Sequence, residues 1–324
     1  MFVIRQLFLT SLFLLFAGCA MRPTVPSAFS FALMGDQQYN AREEALFPQM
    51  LDAVSKEQLE FVVHVGDFKA GSNAPCTDAL FMQRKTEFNR SRHAFIYTPG
   101  DNDWVDCRRT SNGASDPLER LAKLREVFFS ESRSLGQNTI ALAQQSEIFH
   151  GDPVIARYRE NAMWLQGGIV FATFNIQGSN DNFGFDDAND REHEARTRAN
   201  IEWLNVAIKR AGETDIAGVA IFLQANPGFE EQPADVAKSG FRLFLEAFEA
   251  RATSLGKPIL FAHGDTHQYR VDRPYLSPLD KRPFPNVTRV ETFGSPVVNW
   301  VKITVDPNLK NGLFFIQPGG FAPP

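Results

Sequence analysis

The sequence predicts an α/β fold, with residues 29–324 as one domain. Three observations carry this reading. Short apolar runs alternate with polar stretches of helical period. Several of the runs stop at Gly followed by an acid or amide. No repeat, low-complexity tract or linker divides 29–324. In open α/β sheets, ligands bind outside the carboxyl ends of the strands, so these stops mark one rim.

The elements follow in chain order. Residues 29–34 (FSFALM) form a strand that stops at Gly35-Asp36. Residues 43–54 are helical in period, with Leu46, Met50, Leu51 and Val54 on one face. Residues 61–65 (FVVHV) form a buried strand that stops at Gly66-Asp67. A helix is expected over 77–90, and a strand over 94–97 that runs into Pro99-Gly100-Asp101-Asn102. Asp116 and Pro117 open a helix carrying Leu118, Leu121, Leu124, Val127 and Phe128 at helical spacing. Residues 132–160 read as irregular. Strands at 163–166 and 169–176 are joined by Gly167-Gly168 as a hairpin. A polar helix spans about 187–211, and a strand at 218–223 precedes Gln224-Ala225-Asn226. A helix over 235–253 leads to a strand at 259–262 and then His263-Gly264-Asp265-Thr266-His267. Three more strands are expected near 288–292, 300–305 and 313–316.

Composition narrows the function. At 44% hydrophobic and 22% charged, the 324 residues are globular in character, and 30 Phe predict a Phe-rich core. A net charge of −5 offers no broad cationic footprint for nucleic acid. Three Cys and six His exclude a Cys-rich zinc scaffold. His193-Glu194 lacks the second His of a zincin helix, and no nucleophile elbow, Walker loop or dinucleotide fingerprint is present.

The five strand ends place Asp36, Gln38, Asp67, Asp101, Asn102, Asp103, Gln224, Asp265 and His267 on one rim. Clustered carboxylates repel one another unless a cation or proton neutralises them. Oxygen ligands with an imidazole suit hard or borderline divalent ions. Some neighbouring polar residues have blander readings. His64, inside an apolar strand, reads as a core histidine. Arg196 and Arg198 read as solvated, Trp104 as wall, and Asn180, Asp181 and Asn182 as turn chemistry.

The order of these motifs, with YTPGDNDWVDC and HGDTH, resembles the calcineurin-like metallophosphoesterase superfamily, in particular an exported bacterial subgroup. The resemblance covers most of 29–270. It implies a four-layer α/β/β/α sandwich, two mixed β-sheets flanked by helices, with residues 105–160 as a cap insertion. It implies one or two divalent ions (Mn, Mg, Fe or Ca). Asp36, Asp67 and His267 would hold the first. Asp67 would bridge to a second, held by Asn102 and Asp265, with Gln38 and Gln224 at ligand positions. It also implies hydrolysis of a small phosphorylated substrate by metal-activated water. This chain departs from the family at four positions. Gln38, Asp103, Gln224 and Asp265 stand where the family carries His, so affinity should shift toward harder ions. Asp103 or His263 would protonate the leaving oxygen. The alternative is a non-catalytic binding lipoprotein of the same fold with a degraded metal site. A monomer that does not bind nucleic acid is expected.

The N-terminus points to export. Arg5 and the apolar run 7–18 form a leader too short to span a bilayer well. The leader, 1–18, ends in Leu15-Phe16-Ala17-Gly18-Cys19, which resembles a bacterial lipobox with Phe16 in place of the usual Leu. Cys19 would then carry the lipid, and 19–28, with Pro23 and Pro26, would be a tether to the membrane of the bacterial cell envelope. In that oxidising compartment Cys76 and Cys107 are expected to pair. Closing their loop would stabilise the fold by about 3 kcal/mol.

Overall fold

The computed structural model describes residues 27–229, 238–274, 282–309 and 312–322. The leader and Cys19 lie outside the described residues, as does the start of the expected 235–253 helix. In chain order the elements are β1 (Phe29–Met34), α1 (Ala41–Val54), β2 (Phe61–His64), α2 (Asp78–Phe88), β3 (Ala94–Tyr97) and α3 (Pro117–Phe128). Next come β4 (Ala143–Gln144), α4 (Gln145–Ile148), β5 (Ala162–Gln166), β6 (Ile169–Thr173), the single turn α5 (Gly178–Asp181) and α6 (Asp187–Ala211). The remainder is β7 (Gly218–Phe222), α7 (Arg242–Leu255), β8 (Ile259–His263), β9 (Arg270–Asp272), β10 (Val287–Glu291), β11 (Val301–Val305) and β12 (Phe314–Pro318).

The strands form two mixed sheets, in the orders β12-β11-β1-β2-β3 and β4-β5-β6-β7-β8-β10-β9. Their centres, β1-β2-β3 and β6-β7-β8-β10, are parallel. All these strands therefore end on one side, which makes the rim. Side chains alternate across each strand. In β1, Phe31 and Leu33 face the second sheet, while Ala32 and Met34 face α1 and α2. Between the sheets Phe31, Phe61, Trp164, Phe171 and Phe222 pack ring against ring, for example Phe61–Phe171 at 5.0 Å. A second core lies between the first sheet and α1–α3, and a third between the second sheet and α6–α7. The result is the expected four-layer α/β/β/α sandwich.

Local chemistry sets the helix starts. Asn40 caps α1 by accepting from the Arg42 and Glu43 N–H groups, Asp116 caps α3 with Pro117 at its first position, and Asp186 caps α6. Within the 105–160 segment, a 3₁₀ turn at Val105–Arg108 borders the rim. There Asp106 Oδ1 lies 3.1 Å from Ser179 Oγ. Farther along, α3 packs into the core beside α2, and β4 extends the second sheet. Cys76 and Cys107 form a disulfide, with Cα atoms 5.7 Å apart, that ties the loop before α2 to this turn. β9 has no counterpart in the sequence reading. It is three residues with no apolar run, held by pairing with β10 and by the Arg289–Asp272 ion pair. No described helix is long and apolar enough to cross a membrane.

Candidate functional site

Chain reversal at the strand ends builds the site. Asp36, Gln38, Asp67, Asp265 and His267 all adopt positive φ, between 53° and 83°. Such backbone costs of order 1–3 kcal/mol per residue and tends to cluster at functional positions. Here it turns the side chains after β1, β2 and β8 back over the strand ends. Bare backbone then lets them approach. A Cβ on Gly178 would stand 2.7 Å from Asp101 Oδ1 and 3.0 Å from Asp265 Oδ1, so the two carboxylates face the same glycine.

Asp36, Asp67, Asn102, Gln224, Asp265 and His267 come together. Gln224 Nε2 donates to Asp36 Oδ1 at 3.3 Å and to Asp67 Oδ2 at 3.2 Å, while its Oε1 accepts from Gly178 N–H at 2.7 Å. The Gly178 donor fixes the amide, so Gln224 presents an N–H₂ group between the carboxylates rather than the oxygen expected of a ligand. Asp265 N–H donates to Asp36 Oδ1, and the Asn102 N–H to Asp67 Oδ1. His267 Nε2 lies 4.0 Å from Asp36 Oδ1, and its Nδ1 bonds Ser295 O at 2.9 Å. That second bond orients the ring.

Burial dominates the electrostatics. Asp36 and Asp67 are held well above the usual carboxylate range, first by desolvation and then by the neighbouring charges of Asp265 and Asp101, respectively. Desolvation and Asp101 push Asp265 up to about 7. Asp101 is raised by burial, against the Ser179 Oγ that donates to it at 2.7 Å. Lys69 sits among these charges. Burial lowers its ammonium, while Asp103, Asp67, Asp106 and Asp101 pull it upward.

Several assignments are corrected. Asp103 does not face the site. It is fully buried and accepts from the N–H groups of Asp67, Phe68 and Gly100 and from Tyr97 Oη, which makes it a bracket for the two Gly-Asp turns. Three of these donors converge on Oδ2 and the fourth holds Oδ1, which commits the carboxyl to the turns rather than to the rim. His263 is also fully buried beside Phe261, and desolvation lowers it to about 3, so it is neutral at neutral pH and its one N–H is given to Gly264 O. Gln38 directs its Nε2 to Glu44 and Glu87, away from the carboxylates. Arg196 is not solvated. It is fully buried, and it donates to Asp181 Oδ1 at 2.5 Å, to the carbonyls of Asp181 and Asn175, and to Glu192. It thereby holds Ser179–Asn182, four consecutive left-handed residues that present Ser179 to Asp101. His64 is the core histidine expected, packed against Phe88 at 5.0 Å.

Tyr39 went unread in the sequence. Its Oη donates to Asp67 Oδ2 at 3.0 Å and accepts from Asn102 Nδ2 at 2.9 Å, and its ring meets His267 edge-on at 5.2 Å. The only signal for it was its place in the stop after β1, one residue beyond Gln38.

Among the described residues no three His, Cys, Asp or Glu groups are spaced to surround one ion. The donor chemistry nonetheless fits a hard divalent ion. Asp36 Oδ2 is buried without a partner, and the carboxylates of Asp36, Asp67, Asp101 and Asp265 crowd one another so that each favours a proton or a cation.

No family model and no curated protein matches the chain. Among solved structures it is similar to PhoD, at 12% identity and a TM-score of 0.58, with 87% of this chain and 64% of that one covered. The chain thus spans just under two thirds of the length of PhoD. It is also similar to a dimetal phosphatase from Danio rerio, at 12% identity and a TM-score of 0.54, with 90% of this chain and 95% of that one covered. Both likenesses are of fold, and they bear out the two-sheet sandwich expected from the motifs.

Proposed function

We propose that this protein hydrolyses a small phosphoester with the help of one or two divalent ions. The observation that carries this reading is the convergence of buried carboxylates with raised affinity for protons, among them Asp36 with an unpartnered oxygen. The likeness to a dimetal phosphatase supports it. Asp36, Asp67, Asp265 and His267 would hold the ions, with Asn102 beside them. When bound, such an ion supplies Lewis acidity and lowers the pKa of water.

The chain's own groups do the rest. Tyr39 Oη links Asp67 to Asn102. Ser295 O orients His267, and Gln224 keeps Asp36 and Asp67 at fixed separation. With Asp103 and His263 turned away, good leaving groups are favoured. The test is to strip metal from the purified protein, add back Mn, Mg, Fe or Ca, and assay a generic phosphomonoester and phosphodiester. Metal-dependent turnover lost in Asp67→Asn is expected, and turnover that survives Asp67→Asn refutes the reading.

The second reading, a non-catalytic binding protein, is favoured by the Gln224 amide hydrogens between the two carboxylates. Elemental analysis of the purified protein separates the two, since bound metal near one or two ions per chain excludes it.

We also propose export to the bacterial cell envelope with a lipid on Cys19. The leader at 1–18 and the Cys76–Cys107 disulfide support this. Fatty-acid labelling lost in Cys19→Ser tests it.

A further inference from the structure

Beside the carboxylates lies an open cleft of about 420 Å³ lined by Gln38, Tyr39, Lys69, Asn73, Thr77 and Arg84, among others. Tyr39 belongs to both, since its hydroxyl touches Asp67 and its residue walls the cleft. Two features suggest a ligand rather than empty space. Lys69 is only 1% exposed, and its Nζ makes one hydrogen bond, to Ala70 O at 2.9 Å. An ammonium has three donors, and among the described residues this one makes no direct ion pair, although Asp103, Asp67, Asp106 and Asp101 lie near enough to favour its charge. Gln38 is 2% exposed, and its Oε1 has no partner. Buried groups of this kind are normally satisfied. Arg84 differs, because Glu44, Glu87 and Phe68 O already engage it.

We propose that Lys69 binds an anionic phosphoryl oxygen of the substrate where this cleft meets the carboxylates, and that Gln38 Oε1 accepts from a hydroxyl or amino group of the leaving portion. This rests on the proposed phosphoesterase reading. It assigns the substrate as a phosphate ester of a small polar alcohol, entering past Tyr39. Lys69 is a binding residue here, and no bond changes at it.

The test reads binding without turnover. Inorganic phosphate is titrated calorimetrically into the full-length protein, supplied with whichever divalent ion it retains, at low and high salt. Lys69→Met should weaken phosphate binding about tenfold or more, the scale of one charge-assisted hydrogen bond, and should flatten its salt dependence. Asn73→Asp adds a carboxylate to the exposed cleft wall at a position of positive φ that Asp tolerates, and it should weaken binding at low salt only. This second variant decides the matter if Lys69→Met does not fold. Unchanged phosphate affinity in a folded Lys69→Met, or in Asn73→Asp at low salt, overturns the proposal. Lys69-dependent phosphate binding in a protein without turnover would leave this inference standing and sink the phosphoesterase reading instead.

Discussion

In the metal-free protein, Asp265 should make stability fall as pH rises. Its carboxyl is pushed from 3.8 up to about 7 by burial and by Asp101, so the folded state holds a proton that the unfolded state releases. A raised carboxyl pKa contributes stability that is complete below the unfolded value and gone above the folded one, here between about pH 4 and pH 7. Between about pH 5 and pH 8, that linkage amounts to roughly 2.5 kcal/mol from this one group. In a protein of this size, that is about 5 °C in melting temperature. The perturbation is Asp265→Asn, which keeps an oxygen for the Asn226 N–H that Asp265 Oδ2 now accepts at 2.8 Å. The assay is thermal unfolding in chelator across this pH range. The variant should melt higher than the parent at about pH 8 and match it near pH 5, and added divalent ion should stabilise the parent more than the variant. Parallel pH profiles for the two proteins would refute the electrostatic reasoning, because the site would then carry no unmatched charge.

Other perturbations read the frame around the site. Asp103→Asn must set an amide N–H₂ against one of the N–H or O–H donors that converge on it, at a cost of about 1–3 kcal/mol, and the melting temperature should drop. If Asp103→Asn instead removed one limb of a pH–rate profile at full stability, the bracket role would be wrong. Arg196→Met leaves the buried Asp181 with only His193 Nε2, at 3.4 Å, and the Gln177 N–H beside it, so a loss of about 3–5 kcal/mol is expected in denaturant unfolding. A loss below about 1 kcal/mol would return Arg196 to the solvated role its charged surroundings suggested. Cys107→Ser opens the loop of 31 residues and should cost about 3 kcal/mol or more, read as a lower midpoint that reductant no longer shifts.

The layers and the rim were legible in the chain. Strands of β-branched and aromatic residues, and helices with one apolar face, carry their own period, so β1, β3 and α6 fall where alternation and caps place them. The Gly-acid stops were legible because a chain that must reverse at a strand end needs residues tolerant of positive φ, and short side chains there point back over the sheet. By themselves, those local rules located Asp36, Asp67, Asn102, Asp265 and His267 on one edge.

What each polar side chain does was decided by tertiary packing. Asp103 and Asp101 sit two apart in one turn, yet one is a bracket and the other faces the site, because Tyr97 and three backbone N–H groups converge on Asp103 alone. Gln224 became a donor because Gly178, 46 residues away, presents an N–H to its oxygen. Arg196 lies on a charged helix but turns inward to the carboxylate and carbonyls of a left-handed turn. Sequence determines which groups stand at the rim, since strand ends are local. Only the folded chain determines which lone pairs and protons remain free there, because hydrogen-bond partners come from distant segments and burial sets the charge each group holds.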